Sequence, residues 1–188
     1  MLRDLIVRNR SYRRFDESKP IGMDVLRELV DLARLSASGG NMQSLKFYLS
    51  VEQEKNNAIN DCLKWAGYLQ GWGPKQGERA TAFIVMVKDK ERAGSTAYDE
   101  GIAAQSILLG AAEKGLGGCM LGAVDRKKLP GVLEIGEQYE TLLVVALGYP
   151  SETVVIEEVD VLGDIKYWRD EQSVHHVPKR KLNDIIIK

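Results

Sequence analysis

The chain has 188 residues, a length typical of one domain, and its 44% hydrophobic and 28% charged residues indicate a folded rather than a disordered protein. Its 26 Lys and Arg residues balance 27 Asp and Glu residues, so the net charge of -1 gives no support for nucleic-acid binding. No apolar run approaches the length of a membrane span, and the charged start MLRDLIVRNR is unlike a secretory signal; we therefore expect a cytoplasmic protein without membrane contact.

Hydrophobic periodicity predicts alternating helices and strands in the first half of the chain. Helical spacing of apolar residues occurs at residues 2–9, 26–33 and 58–66. Alternating apolar residues at 47–51 and a near-continuous apolar run at 81–87 predict two strands, the second of them buried on both faces.

The second half continues the same alternation. Residues 101–114 are apolar on nearly every side, which is typical of a helix buried in the core or in a subunit interface. A short strand is predicted at 119–121, a helix at 125–133 and a buried strand at 141–147. The tail, residues 151–188, ends in three isoleucines and is expected to add an edge strand to its own sheet or to that of a partner. The pattern indicates a single α/β or α+β domain.

Familiar catalytic and metal-binding motifs are absent from the sequence. Two distant cysteines, Cys62 and Cys119, form neither a disulfide framework nor a zinc motif, and we expect Cys119 to be a packing residue. The only histidines, His175 and His176, would point to opposite sides of an extended chain. We therefore expect no metal site and place both histidines on the surface. Gly115–Met120 begins like a dinucleotide-binding motif but follows a helix, which disfavours a Rossmann domain.

Three short segments carry residues suited to binding a ligand. In residues 10–14, two arginines three positions apart flank a serine and could grip a phosphate, although a solvated basic loop has the same composition. Residues 38–43 combine glycines with amide side chains that could approach a planar ligand, although a simple helix end also fits. The basic pair at 179–180 suits either a phosphate clamp or a solubilising tail.

Seven segments follow one another in a characteristic order along nearly the whole chain. They are RSYRRF (10–15), SGGNMQS (38–44), WAGYL (65–69), ERATA (78–82), GLGGCMLG (115–122), ALGYP (146–150) and PKRKL (178–182). This order resembles the nitroreductase family of FMN-dependent oxidoreductases. The resemblance implies an α+β three-layer sandwich, in which a mixed, mainly antiparallel sheet is flanked by helices. It also implies an intertwined homodimer with FMN at the subunit interface.

The resemblance further implies which residues of one subunit hold the cofactor. Arg10, Ser11 and Arg13 would bind the FMN phosphate and ribityl chain. Lys179 or Arg180 would add a second clamp on the phosphate. The family usually has Arg where this chain has an asparagine just before Arg10, which weakens the clamp but leaves both arginines.

Other residues are expected to reach the same flavin from elsewhere in the dimer. Ser38, Gly39 and Asn41 would approach it from the partner subunit, and Leu121 and Gly122 would line the isoalloxazine ring. By the same resemblance, the helix at 101–114 is the central dimer helix, and the tail at 151–188 wraps the partner. The loop around residue 72 would replace the lid helix of longer relatives.

The implied activity is that of an NAD(P)H-dependent FMN oxidoreductase. No side chain need be catalytic, because the flavin carries the hydride chemistry. NADH or NADPH would reduce FMN and leave, and a small flat acceptor such as a nitroaromatic compound or a quinone would then occupy the same space in a ping-pong cycle. Two alternatives remain open: a flavin-binding or redox-sensing module without efficient turnover, and a domain that binds an acidic ligand and no flavin.

Overall fold

An antiparallel sheet of four strands forms the centre of the computed structural model, which describes residues 1–92 and 97–187. The strands are β1 (Leu45–Ser50), β2 (Ala82–Asp89), β3 (Gly117–Leu121) and β4 (Tyr139–Gly148). They are ordered β1-β2-β4-β3, and each neighbouring pair is antiparallel. The central strands β2 and β4 are buried on both faces, as their continuous apolar runs predict.

Helices cover both faces of this sheet. The α-helices of the described part of the chain are α1 (Leu2–Arg8), α2 (Met23–Leu35), α3 (Gln53–Asn60), α4 (Asp99–Glu113) and α5 (Leu129–Leu133). Ala82, Ile84 and Met86 of β2 face a core shared with α2 and α4. Phe83 and Val85 point the other way, into a core shared with α3 and α5, because successive strand residues alternate. This arrangement is the three-layer α+β sandwich predicted from the sequence.

Helix α4 is buried along its core face but not on its other side, whereas its missing polar face predicts burial on every side. Ala104, Ile107 and Ala111 are fully buried, whereas Ile102 is 38% exposed on the other side of the helix. Burial of the other side in a subunit interface stays a prediction. Within the described ranges, α4 and the other helices are too short or too polar to cross a membrane.

Two predicted helices are shorter than their apolar spacing suggests. The helix predicted through Ala66 ends at Asn60, and Ala66 itself has a left-handed φ of 47° that is incompatible with a continuing helix. Trp65 nevertheless enters the core, and its Nε1 donates to Asn60 Oδ1 at 3.1 Å. Asp125 accepts main-chain N–H groups in the turn before α5 and does not cap α5 itself.

The tail contains a second sheet that the sequence analysis did not predict. Its strands are β5 (Val154–Val159), β6 (Trp168–Arg169) and β7 (His175–Arg180), in the order β5-β7-β6. β5 and β7 are parallel, whereas β6 and β7 are antiparallel. The terminal isoleucines do not add an edge strand to a sheet of their own chain, since residues 185–187 follow a short 3-10 turn and are exposed. Their addition to a partner's sheet stays a prediction. That the tail wraps a partner stays a prediction.

Gly118 of β3 lies where the sheet packs closely against α4. A Cβ at this position would lie 2.5 Å from Leu108 Cδ2 and 2.7 Å from the carbonyl oxygen of Ala146. The second contact is with main chain in the centre of the sheet, which cannot move away as a flexible side chain can. Glycine is therefore required here for packing.

We expect Gly118→Ala to lower the free energy of unfolding by about 1–3 kcal/mol, since it overpacks the core. Gly67→Ala is the matched control, because a Cβ there meets nothing within 4 Å, and we expect a change within about 0.5 kcal/mol. Urea unfolding, monitored by circular dichroism, measures the free energy of unfolding of both variants. Equal stability of the two variants would contradict the packing at Gly118.

Candidate functional site

A cavity of about 320 Å³ opens where the N-terminal segment meets α4 and the second sheet. Three cationic side chains line it, and none of the described Asp or Glu residues does. We call it the basic cavity; its lining includes Arg10, Ser11, Arg13, Tyr167, His175 and Lys179. The structure therefore brings together Arg10, Ser11, Arg13 and Lys179, which the sequence places at opposite ends of the chain.

The N-terminal part of the basic cavity is held against β3. Ser11 pairs with Gly118 in a parallel bridge, and the Tyr12 N–H donates to the Gly118 carbonyl at 3.0 Å. Phe15, which is fully buried, forms an antiparallel bridge with Pro150. Isolated bridges thus hold the main chain of this segment beside the sheet.

Arg13 is the most enclosed of the cationic residues in the basic cavity, with 9% of its surface exposed. Its Nη1 donates to the Ser11 carbonyl at 3.1 Å and lies 3.2 Å from His175 Nε2. Its Cζ lies 4.6 Å from the centre of the Tyr167 ring, a cation–π arrangement. In the described ranges no carboxylate forms an ion pair with this guanidinium.

A buried carboxylate, Glu152, fixes the main chain behind Arg13. One oxygen accepts the N–H groups of Arg13 and Arg14, the latter at 3.0 Å. The other oxygen accepts from Arg169 Nη2 at 2.6 Å, and the Glu152 side chain is 0% exposed. Arg169 also lies over the ring of Trp72, 4.5 Å from its centre, and so fastens the loop that was expected to replace a lid.

His175 is fully buried, so its predicted surface location is wrong. Burial and the positive charges of Arg13 and Arg169 lower its pKa to about 4, because all three disfavour the imidazolium. The ring is therefore neutral near pH 7, and Nε2 accepts from Arg13 while Nδ1 carries the proton. His176 points to the other side of β7, as predicted. Hydrogen bonds to Glu157 and Asp170 raise its pKa.

Several buried N–H groups around the basic cavity have no hydrogen-bond partner in the described parts of the chain. They include Arg10 Nε, Arg13 Nε and His175 Nδ1. Leaving such donors unpaired is costly, and bonds from guanidinium groups to an anion are among the strongest in proteins. Together with Lys179, these donors suit a phosphate or another anionic group of a ligand.

The second group of predicted residues surrounds a different cavity of about 330 Å³, which we call the loop cavity. Ser38 and Asn41 line it, and Asp99, the first residue of α4, holds their loop. The Ser38 hydroxyl donates to Asp99 Oδ2 at 2.8 Å, and the Gly39 N–H donates to Oδ1 at 2.9 Å. Gly40 has a left-handed φ of 55°, which turns the loop and suits glycine.

Four predicted residues line neither cavity. Gly39 belongs to the loop beside the loop cavity but is not among its lining residues. The Arg180 guanidinium donates to the carbonyl groups of Asp160 and Val161. Leu121 is buried in the core, and Gly122 is exposed. Of the predicted basic pair, only Lys179 therefore lines the basic cavity in this chain.

Tyr167, Glu152 and Asp99 were not predicted from the sequence, and the predicted location of His175 is wrong. Each acts through a partner far along the chain, and no local spacing marks any of them. Cys119 lies in the core as predicted, and burial raises the pKa of its thiol to about 11, so it carries no thiolate near neutral pH.

A model of the Nitroreductase family matches residues 6–149 of the chain, whereas curated protein sequences give no match. A Clostridium acetobutylicum protein, provisionally described as an NADH oxidase, has a solved structure that is 26% identical, with a TM-score of 0.66 over 80% of this chain and 89% of that one. An FMN-dependent nitroreductase from Clostridium difficile is 23% identical, with a TM-score of 0.66 over 79% and 87% of the two chains. A nitroreductase family protein from Streptococcus pneumoniae is 17% identical, with a TM-score of 0.72 over 100% of both chains, so the likeness in fold includes the tail.

The depressed pKa of His175 predicts a pH-dependent stability. The unfolded chain takes up a proton near pH 6.5 and the folded chain only near pH 4, so stability contributed by neutral His175 is lost as the pH falls through this window. We expect His175→Gln to flatten that part of the profile. Urea unfolding of both proteins at several pH values across this window measures how the free energy of unfolding depends on pH. If the free energies of unfolding of the two proteins depended on pH in the same way, the lowered pKa of His175 would be contradicted.

Proposed function

The chain belongs to the nitroreductase family, and from this premise we propose that it is an oxidoreductase that binds FMN and accepts electrons from NADH or NADPH. The observation that carries the proposal is the basic cavity, with its buried and unpartnered donors. Its electron acceptors would be small, flat electrophiles such as nitroaromatic compounds or quinones. The Clostridium difficile relative is named as FMN-dependent, which supports the choice of flavin.

The residues of the basic cavity fit the phosphate end of FMN. Arg10, Arg13 and Lys179 provide positive charge, and the Ser11 hydroxyl is a further donor. Two of the arginine Nε groups are buried without a partner, so an anionic ligand would satisfy donors that the described part of the chain leaves unpaired. The absence of a lining carboxylate avoids repulsion of the phosphate.

The loop cavity supports a site shared between two subunits. We propose a homodimer in which the 38–41 loop of one subunit faces the basic cavity of the other, with the tail packed against the partner. Exposed apolar side chains offer the surface that such an interface would bury. They include Leu2, Ile6, Leu35, Ile102, Leu182 and Ile185.

FMN would supply the hydride chemistry, so no side chain of the site need act as an acid or a base. The side chains would bind and orient: Arg13 and Lys179 would hold the charged end, and Tyr167 would fix the plane of the Arg13 guanidinium. The electron donor and the electron acceptor would occupy the same open face of the flavin in turn, which predicts ping-pong kinetics.

The proposal predicts a yellow protein whose visible flavin band bleaches when NADH or NADPH is added without oxygen. We expect the band to be lost or greatly weakened in the Arg10→Ala, Arg13→Ala double variant, because both guanidinium groups leave the basic cavity. Arg27→Ala, on the exposed side of α2, is the control and should keep its flavin. A bound flavin that no nicotinamide bleaches would favour the flavin-binding or redox-sensing alternative. A colourless protein that gains no flavin from added FMN would defeat the proposal.

The shared site can be tested by mixing two inactive variants. Arg13→Ala damages the basic cavity and Asn41→Ala the loop cavity, so each homodimer would have only damaged sites. In a mixed dimer one site has both halves intact, and random exchange of subunits should restore about a quarter of all sites. Activity is measured after joint refolding of the two variants. No recovery, with mixed dimers verified by two affinity tags, would place both groups in one subunit.

A further inference from the structure

Within the described ranges, the groups that directly contact the buried Arg13 guanidinium are neutral. Its neighbours are the Ser11 carbonyl, the His175 ring and the face of Tyr167. Glu152 lies on the same segment but accepts the main-chain N–H of Arg13, and its other oxygen is occupied by Arg169. A buried cation normally has a carboxylate partner that neutralises it. Here the charge stays available to whatever enters the basic cavity.

His175 is the side chain that holds this guanidinium in place. The main-chain N–H of His175 donates to the Thr153 carbonyl at 2.8 Å, and His175 pairs with Arg169 across β6 and β7. These contacts fix the backbone of His175. Its ring centre lies 5.2 Å from that of Tyr167, whose own ring covers Arg13. The Tyr167 hydroxyl in turn accepts the Tyr68 N–H at 3.3 Å, which anchors it from the opposite side.

We infer that His175 is a positioning residue, which orients the Arg13 guanidinium towards a bound anionic ligand without neutralising its charge. The inference rests on the proposed function, since FMN is the ligand through which it is tested. An Asp or Glu at this position would also orient Arg13 but would cancel its charge. A neutral imidazole supplies a hydrogen-bond acceptor without adding a negative charge.

The charged groups around the ring keep it in this neutral state. Arg13 faces it from the N-terminal segment, Arg169 from β6, and His176 follows it on β7. Glu152 is the nearby acid, and its oxygens are engaged by Arg169 and by main-chain N–H groups. Protonation of His175 would remove the acceptor at Nε2 and place a second cation against Arg13.

The test measures the FMN dissociation constant of the apoprotein by quenching of flavin fluorescence. Loss of the acceptor in His175→Leu should weaken binding about tenfold, whereas His175→Gln, which presents an oxygen near the position of Nε2, should bind within about threefold of the unchanged protein. His176→Leu, at the adjacent residue on the other side of β7, is the control and should bind normally. Thermal unfolding of each apoprotein verifies that it is folded.

Action through Arg13 is tested with a double-mutant cycle. In an Arg13→Met background, His175→Leu should change FMN affinity less than about twofold, because the residue it positions is gone. As the pH falls towards 4, the unchanged protein should lose affinity relative to His175→Gln. Additive effects in the cycle, or no rescue by glutamine, would overturn the inference and leave the proposed function standing. An unchanged protein that binds no FMN would instead defeat the proposed function.

Discussion

The buried carboxylate of Glu152 is the contact on which the candidate site depends. One oxygen holds the main chain of Arg13 and Arg14, and the other holds Arg169 of the second sheet at 2.6 Å. Breaking a buried ion pair costs more than forming it contributes, because the remaining charge is left without a partner. Glu152 therefore fixes the N-terminal segment against the tail, and the basic cavity exists only between these two parts of the chain.

Because Glu152 pairs with Arg169, it does not neutralise the positive charges of the arginines in the basic cavity. Arg10 and Arg13 are held by main-chain carbonyl groups and by a neutral histidine, which fix their orientation and do not neutralise them. Folding the chain thus includes the cost of burying positive charge that no carboxylate in the described part of the chain offsets. Such a cost is common where a site must bind a ligand, because stability and binding place opposite demands on the same residues.

Local sequence patterns predicted the main sheet, one wall of the site and, of the other wall, only Lys179. The continuous apolar run along residues 82–87 reveals β2 because helices cover both of its faces, and the arginines at 10–13 are recognisable because they are close in sequence. Strands β5 and β7 are only partly buried, so they lack a clear apolar alternation. Glu152 and His175 meet Arg13 across 139 and 162 residues, a distance over which periodicity gives no information.

The geometry of α4 explains why the candidate residues occupy two cavities and not one. Ala103 lines the loop cavity and Gln105 lines the basic cavity. Residues two positions apart on a helix are separated by about 200°, so the cavities open on opposite sides of α4. No side-chain movement within one chain can merge them, whereas a two-fold symmetric pair of chains can set each cavity against its counterpart and create two equal sites. In the proposed dimer, the outer side of α4, which carries the 38% exposed Ile102, would be buried as well, and the apolar composition of that side fits such a burial.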